Sequence, residues 1–132
     1  MKLRLKENSI RLRLTQPDIR QLAESGRVEE SIDFGVARGG IFVYCLKTDE
    51  SAKEVYSYAN DGGITIFLPK AAADTWIGTE EVSVEADQQI GDGKILRLSI
   101  EKDFACLHAR AGEDESGAFP NPLAAKKSLN DY

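Results

Sequence analysis

One histidine and two cysteines in 132 residues leave little material for metal or thiol chemistry. A tetrahedral zinc site needs four ligands, usually in recognisable pairs. A nucleophile–base device needs a base held by a third group, and here only one imidazole is on offer. No G-x-x-x-x-G-K-[ST] phosphate loop occurs. No apolar run approaches the roughly 18 residues of a membrane-spanning helix. The opening MKLRLKENSIRLRL alternates basic and apolar residues, which is not a signal-peptide core. With so few cysteines, this points to free thiols in a reducing cytosol. Positive charge is also short: 17 Lys and Arg against 22 Asp and Glu, a net charge of −5. That balance argues against a general nucleic-acid or anionic-membrane binder. No cofactor is expected.

What the chain does have is alternation. Leu3 and Leu5 alternate with Lys2, Arg4 and Lys6; Ile10, Leu12 and Leu14 alternate with Arg11 and Arg13. Period two marks half-buried strands, and Glu7-Asn8-Ser9 joins them as a hairpin. Thr15 is a helix cap, with Pro17 and Asp18 in the first turn. Ile19, Leu22 and Ala23 form the buried stripe, and Gly26 ends the helix. Strands follow at about 28–34 and 41–47. The order then recurs. Strand 55–60 meets strand 64–68 across Asp61-Gly62-Gly63, a tight-turn signal. Pro69 opens a helix carrying Ala72, Ala73 and Trp76, and strands at about 82–87 and 94–101 close the series.

Sliding the sequence along itself until Ile10 falls on Ile64 brings these patterns into step, without a gap. Leu12 and Leu14 then land on Ile66 and Leu68; Leu22 lands on Trp76 and Val28 on Val82. Phe42, Tyr44 and Leu46 land on Leu96, Leu98 and Ile100. The period is too long for a solenoid, so it predicts a duplicated supersecondary unit. The expectation is an α+β domain, mainly antiparallel β. Two ββαββ units, 1–49 and 55–103, form a small barrel or two packed sheets with two short helices. Leu12, Leu14, Leu22, Val28, Ile66, Leu68, Trp76, Val82, Leu98 and Ile100 are the expected core. Gly39-Gly40 and Gly62-Gly63 read as turn glycines.

From Phe104 the alternation stops, and residues 104–132 read as an irregular tail, packed on the domain or disordered. Two prolines, Pro120 and Pro122, preclude regular structure around Asn121. Phe104, Leu107 and Phe119 are apolar residues that pin such a tail to the domain. Cys106, His108, Glu113, Asp114 and Glu115 are metal-ligand types, but a C-x-H beside an acidic loop is a weak metal signal. A buried thiol beside a solvated loop explains the same residues.

Two resemblances follow from particular stretches. DGGITIFLPKAAADTWIGTEEVSVEAD, residues 61–87, resembles the swapped-hairpin domain of the AbrB and MazE regulators. The match rests on the glycine turn, Ile64 and Ile66, Pro69-Lys70, Ala73 and Trp76 on the helix, and Val82, Val84 and Ala86. That family forms an interleaved homodimer, each chain giving half a small barrel, and binds DNA. Two such units in one chain imply that dimer fused into a single protein. The charge departs from the family: between Glu54 and Gly93 only Lys70 is basic, against eight acids. A DNA surface needs several phosphate-neutralising cations. MKLRLKENSIRLRLTQ at one end and GEDESGAFPNP at the other resemble a family of small, uncharacterised bacterial proteins, across essentially the whole chain.

The sharpest local feature is the first hairpin. Lys2, Arg4, Lys6, Arg11 and Arg13 stand against a single acid, Glu7. Guanidinium forks suit phosphate and carboxylate. The expectation is a small soluble binding module whose basic hairpin face meets an anionic small molecule or an acidic protein surface. The same charges also serve as a solvated strand face. Two other readings stand beside it: a degenerate DNA-binding regulator of the swapped-hairpin kind, and a small metal- or thiol-dependent enzyme. The acids Glu113, Asp114 and Glu115 are expected either near Arg4, Arg11 or Arg13 or on a tail that points into solvent.

Overall fold

A computed structural model describes residues 1–104, 117 and 119–122. Eight strands and two α-helices account for the ordered core: β1 (Lys2–Lys6), β2 (Ser9–Leu14), α1 (Gln16–Ser25), β3 (Arg27–Asp33), β4 (Ile41–Asp49), β5 (Tyr56–Asn60), β6 (Gly63–Pro69), α2 (Lys70–Gly78), β7 (Ser83–Gly91) and β8 (Lys94–Lys102). A single 3-10 turn, Val36–Arg38, lies between β3 and β4.

The strands make two four-stranded sheets rather than a closed barrel, in the orders β1-β2-β8-β7 and β3-β4-β6-β5. Hairpin neighbours are antiparallel, as tight turns require. The central pair of each sheet, β2 with β8 and β4 with β6, is parallel. Each sheet therefore takes one hairpin from each half of the chain. Leu12, Leu14, Leu98 and Ile100 from the first sheet meet Val28, Leu46, Ile66 and Leu68 from the second, with Leu22 of α1 and Trp76 of α2, in one core. All ten are at most 1% exposed.

The register follows the offset seen in the sequence. Ile10 faces Leu98 in one sheet, and Ile64 faces Tyr44 in the other. The step from Ile10 to Ile64 is also the step from Tyr44 to Leu98, so the two pairings are the same pairing with the halves exchanged. Lys2 faces Arg13, and Tyr56 faces Phe67, both members moved by that step. The correspondence slips once. Val28 faces Leu46, but it is Val84 that faces Ile100, because the path from α2 into β7 is two residues longer. Val82 is consequently a correction: expected in the core, it is 54% exposed, in the connection ahead of β7. Val84 takes the inward position instead.

The two helices start differently. Thr15 caps α1, its hydroxyl accepting from the Asp18 N–H while the Asp18 carboxylate accepts from the Thr15 N–H, a capping box. α2 follows Pro69 with no side-chain cap. It is fastened by Trp76, fully buried, whose Nε1 donates to the Val82 carbonyl at 3.2 Å. Gly63 also departs from its expected role. It opens β6 rather than lying wholly in the turn, and an added Cβ would sit 1.8 Å from the Val43 carbonyl oxygen.

Two polar bridges tie the sheets together at their margins. Gln88 of β7 reaches Ser57 of β5, accepting from its N–H at 2.9 Å and its hydroxyl at 2.6 Å and donating to its carbonyl at 3.2 Å. The Met1 ammonium lies 2.8 Å from Asp18 and 3.3 Å from Glu30 of β3.

Candidate functional site

Alternate residues of a strand share a face, so β1 and β2 put Lys2, Arg4, Lys6, Ser9, Arg11 and Arg13 on the outer side of the first sheet. The register sets them opposite one another: Lys2 with Arg13, Arg4 with Arg11, Lys6 with Ser9. All five cations read from the sequence are thus brought together. The parallel neighbour β8 extends the face with Arg97, Ser99 and Glu101, opposite Ser9, Arg11 and Arg13. β7 completes it with Asp87, Glu85 and Ser83.

Charge is not spread evenly over this plate. Glu101 is the hub: Arg13 Nε lies 3.1 Å from one carboxylate oxygen and Arg11 Nε 3.2 Å from the other. Ser99 Oγ donates to the same carboxylate at 3.1 Å. Lys2 Nζ is 3.2 Å from Asp103, and Arg97 is 3.2 Å from Asp87. A small hollow of about 60 Å³ opens between Arg4, Lys6, Ser9 and Arg11. It is far below the several hundred Å³ of a site that encloses a metabolite.

The strand pattern of the sequence located the five cations but not Glu101, Asp103 or Arg97. Residues 97–101 alternate outward charge and inward apolar groups as any half-buried strand does. Nothing local says that this strand lies beside β2.

The outer face of the second sheet has another character. Tyr56 and Phe67 stack with ring centroids 4.6 Å apart. A shallow hollow of about 300 Å³ is bordered by Glu29, Val43, Cys45, Tyr58, Gly63 and Thr65. Cys45 is buried and free, and burial pushes its thiol up from the ordinary value. A thiol held in its protonated form is a poor nucleophile. Among the described residues no group of three or more His, Cys, Asp or Glu is placed to hold a metal. Cys106, His108, Glu113, Asp114 and Glu115, the metal candidates, lie outside the described residues, as does Leu107. The expected approach of the 113–115 acids to the basic face falls outside them too. Among the described residues no helix is long and apolar enough to cross a membrane.

One family model matches the chain, over residues 1–123, and its description is a family of unknown function, DUF7009. The chain belongs to DUF7009. No curated protein matches it, and no solved structure does. The match spans both sheets and both helices. The basic plate is thus part of the DUF7009 region of the chain, and the family brings no activity with which to interpret it.

Proposed function

We propose that this DUF7009 chain is a small cytoplasmic, non-enzymatic binding module whose β1–β2 face receives an acidic protein segment or another extended anion. The observation that carries the reading is the pairing of like charges. Arg4 stands directly opposite Arg11, and Lys2 opposite Arg13. Like charges in directly opposed positions destabilise a sheet. Glu101 and Asp103 answer part of that repulsion from within the molecule. A carboxylate-rich or phosphate-rich partner laid along the hairpin adds to that compensation.

The test is a fluorescence-anisotropy titration of labelled hexaglutamate, and separately of tripolyphosphate by calorimetry, at low and high salt. Binding that weakens steeply with salt is expected, since screening acts on exposed charges. It should be lost in the Lys2→Gln, Lys6→Gln double variant. Absence of binding to both probes at low salt would refute the module.

A second reading is favoured by the topology. Each sheet combines a hairpin from each half, and the pairings of one sheet recur in the other at a constant offset. We infer that residues 1–103 are one domain made by duplication of a ββαββ unit, with residues 104–132 as a tail. An interleaved architecture of this kind supports kinship with the AbrB and MazE swapped-hairpin regulators. DNA binding does not follow from it, because eight acids and one base occupy 54–93. Duplex DNA is expected to show no sequence-dependent binding at moderate salt. Sub-micromolar, sequence-dependent anisotropy changes would replace the module with a regulator.

A further inference from the structure

The basic face ends at a sheet margin, and the chemistry of that margin narrows the partner. In the order β1-β2-β8-β7, β1 has a neighbour on one side only. The hairpin joins Lys6 to Ser9 through a two-residue loop, Glu7-Asn8. Such a loop makes the flanking residues a hydrogen-bonded pair, and antiparallel ladders alternate bonded and non-bonded pairs. Arg4 and Lys2 are then bonded to β2, while Leu5 and Leu3 turn their N–H and C=O groups outward. Among the described residues no hydrogen bond from outside the hairpin reaches Leu3 or Leu5.

The side chains at this margin are ordered by the same alternation. Lys2, Arg4 and Lys6 project on the outer face, and Leu3 and Leu5 on the other. Leu5 is 59% exposed, an unusual position for a leucine in a strand that otherwise backs onto the core. Two of the other three margins differ. Ser57 of β5 has its N–H and carbonyl already taken by Gln88 of β7, and Glu30 of β3 is held by the Met1 ammonium and by the Tyr44 hydroxyl.

We propose that β1 accepts an added β-strand from an acidic partner peptide that alternates carboxylate and apolar residues. The proposal rests on the anion-binding reading above and specifies its partner. Main-chain bonds to Leu3 and Leu5 give such a strand its affinity, and alternate side chains give it specificity. Residues beside Lys2, Arg4 and Lys6 are acidic; those beside Leu3 and Leu5 are apolar and cover the exposed leucine. The opposite margin of the same sheet already carries this pattern. Val84 and Ala86 of β7 turn inward while Glu85 and Asp87 turn outward, and Asp87 pairs with Arg97. A compact anion would meet the cations but leave the outward backbone groups and Leu5 untouched.

The experiment compares four labelled peptides on the full chain by anisotropy: an alternating glutamate–valine hexapeptide, the same composition in two blocks, hexaglutamate, and the alternating peptide with N-methyl groups on its bonding edge. The alternating peptide should bind at least about tenfold more tightly than the other three, the equivalent of one to two main-chain hydrogen bonds. Leu5→Pro, which removes an outward N–H and the exposed leucine side chain while sparing the bonds to β2, should bring the alternating peptide down to the level of hexaglutamate. Equal affinity for all four peptides overturns strand addition while leaving the basic face an anion site. No binding of any peptide or of tripolyphosphate overturns both. Tighter binding of single-stranded DNA than of the alternating peptide would also reject the acidic strand as the partner.

Discussion

Gly63 stands where a side chain has no room. Its φ of +151° is unfavourable for other residues, and an added Cβ would fall 1.8 Å from the Val43 carbonyl oxygen. Gly62, one position earlier, would meet only the Asn60 side chain, at an ordinary 3.5 Å. Gly63→Ala is expected to lower stability by about 2 kcal/mol or more, and Gly62→Ala by well under about 1 kcal/mol. Urea midpoints followed by circular dichroism check the contrast; equal shifts would mean that β4 yields at this point. Asp18 ties pH to the same scale. Burial works to raise its pKa, but hydrogen bonds from the Met1 ammonium and Thr15 outweigh it and hold the carboxyl below its ordinary value. A depressed carboxyl contributes stability that is present above its unfolded-state pKa and lost as pH falls through the folded one. The Met1 ammonium is shifted the other way. Burial lowers it, yet the bonds to Asp18 and Glu30 leave it raised. Its contribution is present below its ordinary value of 8.0 and lost as pH rises through the raised one. Asp18→Asn should therefore flatten both the acid limb and the alkaline limb of a stability–pH profile. A profile parallel to that of the unmodified chain would show that the bridge is not formed in solution.

At the scale of the element, the chain mixes pieces that hold themselves with pieces held by their neighbours. α1 carries its own capping box, so Thr15→Ala should cost about 1 kcal/mol. α2 has no cap to lose and depends on Trp76, which packs in the core and bonds the Val82 carbonyl. Trp76→Ala should cost roughly 3–5 kcal/mol. The seam between β5 and β7 is a third kind of support. Gln88→Ala removes three hydrogen bonds and strands the Ser57 N–H, at a cost of about 1–3 kcal/mol. Hydrogen exchange at the Ser57 amide should quicken in that variant; unchanged exchange would mean water already serves it. These elements were legible in the sequence to different degrees. The alternation of Ile10, Leu12 and Leu14, and the Thr15–Gly26 punctuation, are local signals and placed their elements within a residue or two. Val82 was misplaced because apolar period alone cannot detect two extra residues in a connection. The Gln88–Ser57 bridge joins distant parts of the chain, and an ordinary Gln opposite an ordinary Ser carries no sequence mark.

At the scale of the whole molecule, neither sheet belongs to one half of the chain. The hairpins were visible, but the parallel joins of β2 to β8 and of β4 to β6 were not, since hairpin signals act only between neighbours in sequence. The same gap explains why the basic plate was half legible: its five cations lie in one hairpin, whereas Glu101 arrives on the last strand. The interleaving has a mechanical consequence. Residues 1–49 alone would keep the β1–β2 and β3–β4 hairpins but lose the parallel partner of each. The inner faces of Leu12, Leu14, Val28 and Leu46 would then be open to water. Isolated two-stranded hairpins are marginal at best, so either half alone should fail to form a folded monomer. Cutting the 50–54 connection in the folded protein removes none of the strand pairings, and the two pieces should stay together. The check is to place a protease site at 50–54, cleave, and compare size-exclusion elution and circular dichroism with those of each half expressed separately. Co-elution of the nicked pieces with unchanged dichroism, beside separately expressed halves that are unfolded or form only dimers, is the expected outcome. A cooperatively folded monomer of residues 1–49 would mean that a half holds a core of its own and that the interleaved pairing is not what keeps the chain folded.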